Sequence, residues 1–251
     1  MRALVRPPSL AFVDALGQVE GHAPIDLQLA LRQHADYAEA LGRVGCELVA
    51  LPSDDDLPDA CFVEDTAIVL GECALITRPG APSRRPEVLA VAAALASHGL
   101  TLTMMEAPAT LDGGDVLVLG RTVWVGLSNR TNREGLEALG AFARGLGYDT
   151  RVANVPPGTL HLKCHASPLD PETLLCAPGL LTEAVARRVE VPAHEAYAAN
   201  AIAIGRSVLC AAGFPGTHER LAAAGFEPVP LANSEFAKAD GSLTCLSILW
   251  G

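Results

Sequence analysis

The sequence predicts an α/β protein, a five-bladed α/β propeller of pseudo-fivefold ββαβ repeats that the C-terminal strand closes. Two observations carry this prediction. Four stretches of the chain run in the order strand, strand, helix, strand at a spacing of roughly 40 to 50 residues, which is typical of repeated supersecondary units. The N-terminal stretch has the same order but lacks one strand, and an apolar run at the end of the chain, LTCLSILW, can supply it.

Each repeat is recognised from short apolar runs that alternate with Ala- and Leu-rich segments of helical period. The first two complete copies consist of TAIVL, a turn at Gly71-Glu72, CALITR, a helix from about Pro86 to His98 and LTLTMM, followed by DVLVL, a turn at Gly120-Arg121, TVWVGL, a helix from about Arg133 to Leu146 and DTRVANV. A less regular copy and a final copy consist of LHLKCHAS, TLLCAPG, a helix at LLTEAVARRV and VEVPA, followed by NAIAI, a turn at Gly205-Arg206, SVLCAAG, a helix around His218 to Ala224 and FEPVPL.

The N-terminal unit consists of the strand RALVR, a helix near Leu27 to Leu41 and the strand CELVALP. If LTCLSILW completes it, the ring closes and no sheet edge should be left open. An open α/β sheet has a similar content of helix and strand and is the alternative. No Pro-, Ser- or Gly-rich linker divides the chain, which predicts one domain over residues 1–251.

Composition limits the classes of partner. Half of the 251 residues are apolar, and 29 acidic residues against 18 basic ones give a net charge of −11. Such a charge disfavours a nucleic-acid partner, because phosphate binding needs a basic surface. The sequence has neither a recognisable signal peptide nor an apolar run of membrane-spanning length, so we expect a cytoplasmic protein without a membrane partner. The sequence does not determine the oligomeric state and allows a homodimer.

The seven cysteines are an odd number without a CxxC pair, and they indicate neither a disulfide framework nor a zinc knuckle. Six are expected to be small buried hydrophobes. The seventh, Cys245, follows a turn at Asp240-Gly241 and is predicted to begin the last strand. A cysteine at such a junction is a candidate nucleophile if a histidine stabilises its thiolate, although the local sequence alone favours a buried structural cysteine.

Two loops that precede strand pairs carry acidic residues. LPDACFVEDTA contains Asp59, Glu64 and Asp65, and three converging carboxylates would need a cation such as a guanidinium among them. An ordinary exposed acidic loop is the alternative. LDGGDV has two glycines between Asp112 and Asp115, which permits a tight turn close to a ligand, although such turns are also common without any function.

A third loop contains two histidines in TLHLKCHAS. His161 lies between Leu160 and Leu162 in a strand-like run, so it should point to the face opposite the leucines. A lone histidine in a strand is more often a structural residue than a catalyst. His165 lies on the same alternation, and periodicity does not distinguish the two.

Six motifs in unbroken order, from about Leu51 to Leu249, resemble those of the dimethylarginine dimethylaminohydrolases. They are LPDACFVEDTA, LITRPGAPSRRPEV, LDGGDV, VGLSNRTN, LHLK and KADGSLTC. That family belongs to the guanidine-modifying superfamily, whose fold is a five-bladed α/β propeller. The resemblance implies a hydrolase that converts asymmetric dimethylarginine and monomethylarginine to citrulline and releases dimethylamine or methylamine. It also implies a small cationic amino acid as the partner, with no metal or organic cofactor.

In that family a cysteine attacks the guanidinium carbon and a histidine is the general acid and base. The motif matches imply these roles for Cys245 and His161, with Asp112 orienting the histidine. A covalent S-alkylthiouronium on the cysteine would form and then be hydrolysed. The matches also imply that Asp59 and Asp65 hold the substrate guanidinium.

The remaining matches concern the amino-acid end of the substrate. Glu64 would lie near the α-amino group, whereas Arg84 and Arg130 would hold the α-carboxylate. Leu16 would belong to a lid loop, and Ala239 would contact the substrate through its backbone. Two alternatives remain, namely another enzyme of the superfamily, such as an arginine deiminase or an amidinotransferase, and a catalytically inactive arginine-binding protein.

Overall fold

The computed structural model describes residues 1–17, 23–181, 185 and 187–251. Within these residues the strands are β1 (Arg2–Val5), β2 (Glu47–Ala50), β3 (Ala67–Leu70), β4 (Cys73–Ile76), β5 (Thr101–Met104), β6 (Val116–Leu119), β7 (Thr122–Gly126), β8 (Asp149–Ala153), β9 (Ala166–Pro168), β10 (Thr173–Cys176), β11 (Arg187–Glu190), β12 (Ala201–Ile204), β13 (Ser207–Ala211), β14 (Glu227–Leu231) and β15 (Ser247–Trp250). The α-helices are α1 (Leu27–Arg43), α2 (Val88–Ser97), α3 (Arg133–Gly145), α4 (Pro215–Ala223) and α5 (Ser234–Ala237). None of the helices in this described part is long and apolar enough to cross a bilayer.

The strands form five three-stranded sheets, which we call blades 1 to 5. From the inner to the outer strand, blade 1 is β15-β1-β2, blade 2 is β3-β4-β5, blade 3 is β6-β7-β8, blade 4 is β9-β10-β11 and blade 5 is β12-β13-β14. In every blade the inner strand is antiparallel to the middle strand, and the middle strand is parallel to the outer one. Inner strands of neighbouring blades contact one another, as β15 does with β3 and β9 does with β6 and β12. The predicted five-bladed α/β propeller is therefore confirmed.

The C-terminal strand closes the ring as predicted. β15 pairs with β1 in a register that joins Arg2 to Trp250 and Val5 to Ser247. The expectation that closure leaves no sheet edge open is wrong, because within the described residues each outer strand is hydrogen-bonded to one neighbouring strand only. These outer edges are four or five residues long, which fits the short edges that radial repetition leaves.

The apolar core lies between the blades. Successive residues of a strand point to opposite faces, so Ala74 and Ile76 of β4 pack towards blade 1, whereas Leu75 between them packs towards blade 3. Five such clusters occupy the five interfaces between neighbouring blades. The inner and middle strands are largely buried on both faces in this way and read as continuous apolar runs, whereas outer strands such as β2, β5 and β8 are largely exposed.

A short 3-10 helix precedes the inner strand of every blade. These five helices, which we call the axial turns, are Val63–Thr66, Gly113–Asp115, Leu162–Cys164, Ala193–Ala199 and Thr244–Leu246. They contact one another around the axis. The pseudo-fivefold repeat thus brings together five loops that are far apart in the sequence.

Three local predictions need correction. Cys245 lies in the axial turn of blade 1 and not at the start of the last strand, which begins at Ser247. His161 precedes the axial turn of blade 4, so strand alternation does not determine its direction. The helix predicted at LLTEAVARRV lies partly outside the described residues, and its last residues form β11, paired with β10, because backbone pairing outweighs the helical propensity of Ala and Arg there.

Candidate active site

The axial turns bring the predicted site residues to one end of the propeller axis. A cavity there, which we call the acidic cavity, is lined by Leu16, Gly17, Asp59, Phe62, Asp65, Arg84, Arg130, Leu160, His161, Ala239, Asp240, Gly241 and Cys245. Eight of the ten predicted residues line it. The other two are Asp112, which lies directly behind His161, and Glu64, whose side chain points elsewhere.

His161 is held by an acidic residue and by a glycine. Its Nε2 lies 3.1 Å from Oδ2 of Asp112, and both side chains are almost fully buried. Burial acts to lower the pKa of His161, but the charge of Asp65 and the hydrogen bond to Asp112 outweigh it and raise the pKa to about 9. The imidazole is therefore protonated at neutral pH.

The two glycines of LDGGDV are required by close packing. A Cβ at Gly114 would lie 2.5 Å from Nδ1 of His161, and one at Gly113 would lie 2.0 Å from the carbonyl oxygen of Glu64. The motif thus lets the imidazole ring approach the backbone of a neighbouring blade closely. The glycine backbone lies close to the protein's own histidine, whereas the sequence had indicated only that this backbone could lie close to a ligand.

Asp65 binds groups of the protein with both oxygens. Oδ2 accepts a 2.6 Å hydrogen bond from Arg84, and Oδ1 accepts one of 2.9 Å from the amide of Gly114. Burial acts to raise the pKa of Asp65, but the charges of His161 and Arg84 lower it to about 2. The carboxylate is thus ionised at any physiological pH.

The two predicted arginines differ in what they already bind. Arg84 is buried, and its guanidinium donates to Asp65, to Glu87 and to the carbonyl of Phe62. The guanidinium of Arg130 has no ion pair with the described residues, and its charge lowers the pKa of Asp59 against the raising effect of burial. Arg130 is therefore the more available cation for a carboxylate.

Asp59 connects the acidic cavity to the loop that begins at Leu16. Its carboxylate accepts hydrogen bonds of 3.2 and 3.3 Å from the amide of Leu16, whose side chain is 53% exposed. Burial raises the pKa of Asp59 above its ordinary value, although Arg84 and this hydrogen bond oppose the effect. The following lid-loop residues 18–22 lie outside the described part of the chain.

Cys245 is half-buried at the floor of the acidic cavity. Burial raises the pKa of its thiol well above the ordinary value, and the nearby carboxylates of Glu64 and Asp65 raise it further. In the free protein the thiol is therefore protonated. A cation that entered the cavity would reverse part of this effect.

Glu64 lies on the other side of the axial turns, in contrast to the expectation that it is near the substrate's amino group. It lines a separate axial cavity, walled by residues of all five inner strands. Its oxygens lie 2.7 Å from Nζ of Lys163 and 2.7 Å from Oγ1 of Thr244. These partners draw its side chain away from the acidic cavity, whereas that of the next residue, Asp65, faces into it.

Three residues that support the site were missed by the sequence analysis. Lys163 pairs with Glu64, and the buried amide of Asn200 bridges the carbonyl of Lys163 and the backbone of Thr244. Asp115 accepts a 3.1 Å hydrogen bond from the amide of Leu162, next to His161. The place of Asn200 in the repeat could have indicated this residue, because it directly follows the axial turn of blade 5.

Asp115 also explains the motif SNRTN. Its Oδ2 accepts hydrogen bonds from the hydroxyls of Ser128 and Thr131, and the side chain of Asn132 caps the N-terminus of α3. These contacts hold the loop from which Arg130 reaches the wall of the acidic cavity.

Asp65, Asp112 and His161 have ligand-type atoms within 4.8 Å of one another, and among the described residues they are the one such group that could hold a metal ion. Arg84 and the imidazolium of His161 already neutralise these carboxylates. The arrangement therefore favours an internal ion network over a cation site.

Two sequence ambiguities are resolved by position. His165 bonds to Thr159 through its Nε2 and is not among the residues of the acidic cavity, so His161 is the histidine of the site. The expectation of six buried cysteines is wrong for Cys73 and Cys164, which are half-buried. The side chain of Cys73 lies at the start of β4, and that of Cys164 lies beside Cys245 in the same axial region.

A propeller whose axis carries a thiol, an imidazolium and several carboxylates is the architecture of guanidine-modifying enzymes. The family model described as arginine deiminase matches residues 53–212, which is more than half of the chain.

Whole-chain relatives define the family more narrowly. The chain is 41% identical to N(G),N(G)-dimethylarginine dimethylaminohydrolase of Streptomyces coelicolor, over 98% of this chain and 96% of that one. It is 33% identical to the enzyme of the same name from Pseudomonas aeruginosa, over 98% and 97% of the two chains. A solved structure of the Pseudomonas aeruginosa protein, a Cys-to-Ser mutant complexed with citrulline, matches with a TM-score of 0.92 at 32% identity over 98% of both chains. The chain belongs to the dimethylarginine dimethylaminohydrolase family, and the resemblance seen in its six motifs is confirmed.

Proposed function

We propose that this protein hydrolyses asymmetric dimethylarginine and monomethylarginine to citrulline, with release of dimethylamine or methylamine. The observation that carries the proposal is the placement of a half-buried thiol, Cys245, in one cavity with the imidazolium of His161 and the carboxylates of Asp59 and Asp65. The carboxylates suit a planar, cationic guanidinium, and the thiol is placed to attack its central carbon.

Substrate binding supplies the charge that the nucleophile needs. The Cys245 thiol is protonated in the free protein because burial and the carboxylates of Glu64 and Asp65 raise its pKa. A guanidinium between the carboxylates and the sulfur adds a positive charge beside the thiol and lowers that pKa, so the thiol releases its proton to solvent and becomes the thiolate. The cavity thus activates the nucleophile when the correct cation is bound.

His161 provides the proton for the leaving amine. It is protonated at neutral pH, since its pKa is raised to about 9, and Asp112 holds its orientation. After Cys245 adds to the central carbon, the imidazolium protonates the departing methylated nitrogen and a covalent S-alkylthiouronium remains. The neutral imidazole then takes a proton from the water that attacks this intermediate, and citrulline is released.

Binding of the amino-acid end rests mainly on Arg130. Its guanidinium has no ion pair with the described residues, and Arg130 lines the acidic cavity, so it can receive the α-carboxylate. Arg84 would contribute at longer range, since its donors already serve Asp65 and Glu87. Leu16 covers the opening and Ala239 offers backbone contacts, and these two roles follow from the motif matches together with their position in the wall.

Parallel assays of citrulline formation test this proposal. Asymmetric dimethylarginine, monomethylarginine, arginine and agmatine are supplied separately to the wild-type protein and to Cys245→Ser. We expect turnover of the two methylated arginines and none by the variant. Equal or faster turnover of arginine would favour an arginine deiminase, which the name of the matching family model keeps as the second candidate.

A labelling experiment tests the alternative of a catalytically inactive arginine-binding protein. Iodoacetamide should alkylate Cys245 in the native protein, and saturating substrate or product should slow the labelling at this residue. Labelling that occurs at other cysteines only, or citrulline formation that survives Cys245→Ser, would contradict the proposed nucleophile.

A further inference from the structure

A second thiol shares the surroundings of the candidate nucleophile. Cys164 is half-buried, and with Cys245 it lines a small cavity next to the acidic cavity; Tyr197 and Asn200 also line it. Four other cysteines, Cys46, Cys61, Cys176 and Cys210, are buried. The methylarginine reaction derived above does not use Cys164.

The two cysteines lie in the axial turns of blade 4 and blade 1, which are separated in the ring by blade 5. One side chain ties the two turns together. The amide nitrogen of Asn200 donates to the carbonyl of Lys163 at 3.0 Å and to Oγ1 of Thr244 at 2.9 Å, and its oxygen accepts from the amide of Thr244 at 3.0 Å. Asn200 is therefore bonded to the residue that immediately precedes each cysteine.

Both thiols hold their protons at rest. Burial raises the pKa of Cys245 well above its ordinary value, and the carboxylates of Glu64 and Asp65 raise it further. Burial raises the pKa of Cys164 to about 12, so this thiol is protonated and unreactive at rest.

We propose that Cys164 is a resolving thiol that forms a disulfide with Cys245 when a hydroperoxide oxidises the nucleophile. In the first step the thiolate of Cys245 attacks the peroxide, its O–O bond breaks, and Cys245 becomes a sulfenic acid while hydroxide or alkoxide leaves. In the second step the sulfur of Cys164 attacks that of Cys245, the S–S bond forms, the S–O bond breaks, and the hydroxyl group leaves with the proton of Cys164 as water.

The disulfide would switch off hydrolysis reversibly. It consumes the nucleophile without changing the strands, because both cysteines lie in the axial turns. It also protects Cys245 from irreversible oxidation to the sulfinic acid. A dithiol reductant restores both thiols and the activity.

Peptide mapping of the oxidised protein tests the proposal. The wild-type protein is treated with hydrogen peroxide at mildly alkaline pH, where more Cys245 is thiolate, then alkylated and digested without reduction. We expect a peptide pair linked through Cys164 and Cys245, whose yield parallels the loss of citrulline formation and disappears after dithiothreitol. The loss of citrulline formation depends on the proposed function, whereas detection of the linked peptides does not. Failure of the disulfide proposal is therefore distinguishable from failure of the proposed function.

Two variants complete the test. Cys164→Ser should give no linked peptides, and Cys164→Ala replaces it if Cys164→Ser does not fold. After peroxide treatment of the variant, dithiothreitol should restore less than about half of the activity that was lost. Cys73→Ser is the matched control, because this half-buried cysteine lies outside both cavities, and it should behave as the wild type. Absence of the linked peptides from oxidised wild-type protein, or equal recovery of Cys164→Ser and the wild type, would overturn the proposal.

Discussion

Substitution of Gly114 by alanine should lower the activity strongly without unfolding the protein. The new Cβ would lie 2.5 Å from Nδ1 and 2.7 Å from Cγ of His161, whereas ordinary van der Waals contact begins at 3.4 Å. The imidazole would have to withdraw by about 0.9 Å, and the 3.1 Å hydrogen bond to Asp112 would then be lost or distorted. Misplacement of a catalytic group by about 1 Å costs on the order of 100-fold in rate.

We therefore expect kcat/KM for asymmetric dimethylarginine to fall about 100-fold in Gly114→Ala, since the general acid is displaced. Citrulline formation measures the rate, and thermal unfolding followed by circular dichroism measures the stability. Gly114 does not have a positive φ, so the backbone itself accepts alanine.

Gly42→Ala is the matched control. This glycine is exposed within α1, and a Cβ there would meet nothing within 4 Å. It should leave kcat/KM unchanged and stabilise the protein by about 0.5–1 kcal/mol, as is usual for this change in a helix. A folded Gly114→Ala protein with wild-type kcat/KM would refute the reasoning that the glycine is needed to accommodate the histidine.

Three further outcomes follow from buried contacts. Burial lowers the pKa of His34 from 6.5 to about 4, so the unfolded chain takes up a proton at higher pH than the folded protein does. The free energy of unfolding should therefore fall by about 3 kcal/mol as the pH drops from 6.5 to 4. Urea titrations of His34→Gln should show a smaller fall over this range. Removal of residues 247–251 should unfold the protein because β1 loses its partner β15, whereas Cys245→Ser should abolish citrulline formation with an unchanged circular dichroism spectrum. Asn200→Ala should lower kcat more than it raises KM, since it loosens the turn of Cys245 without touching the substrate, and KM rising alone would contradict this role.

The fold was largely predictable because the repeat imposes the same physics on every blade. The inner and middle strands are largely buried on both faces, so strands such as β4 and β6 appear as uninterrupted apolar runs. Two-residue turns between inner and middle strands need a positive φ at their first residue, and the predicted turns at Gly71, Gly120 and Gly205 have values near +60°.

The axial turns were not predictable in the same way. Strand alternation was applied to His161, and Cys245 was predicted to begin a strand, but both residues lie in or beside 3-10 helices, where successive side chains diverge differently. The direction of Glu64 depends on Lys163, which is 99 residues away, and no local period records such a partner.

The arginines illustrate the same limit. Sequence matching treats Arg84 and Arg130 alike, as two cations for one carboxylate. Their difference arises from tertiary contacts, because Arg84 is paired with Asp65 and Glu87 whereas Arg130 has no ion pair with the described residues. A burial pattern inferred from one sequence does not show whether an arginine forms an internal ion pair or is available to bind a substrate carboxylate.

The proposed mechanism is tested most directly by the mass of the peptide that carries Cys245 during turnover. The enzyme is mixed with excess asymmetric dimethylarginine, quenched with acid within one turnover and digested. Our account predicts an adduct on Cys245 that contains the amino-acid part of the substrate and has lost dimethylamine, and this adduct should decay to free thiol as citrulline accumulates. Citrulline formation while Cys245 remains unmodified, or an adduct on another residue that forms and decays with turnover, would contradict the account.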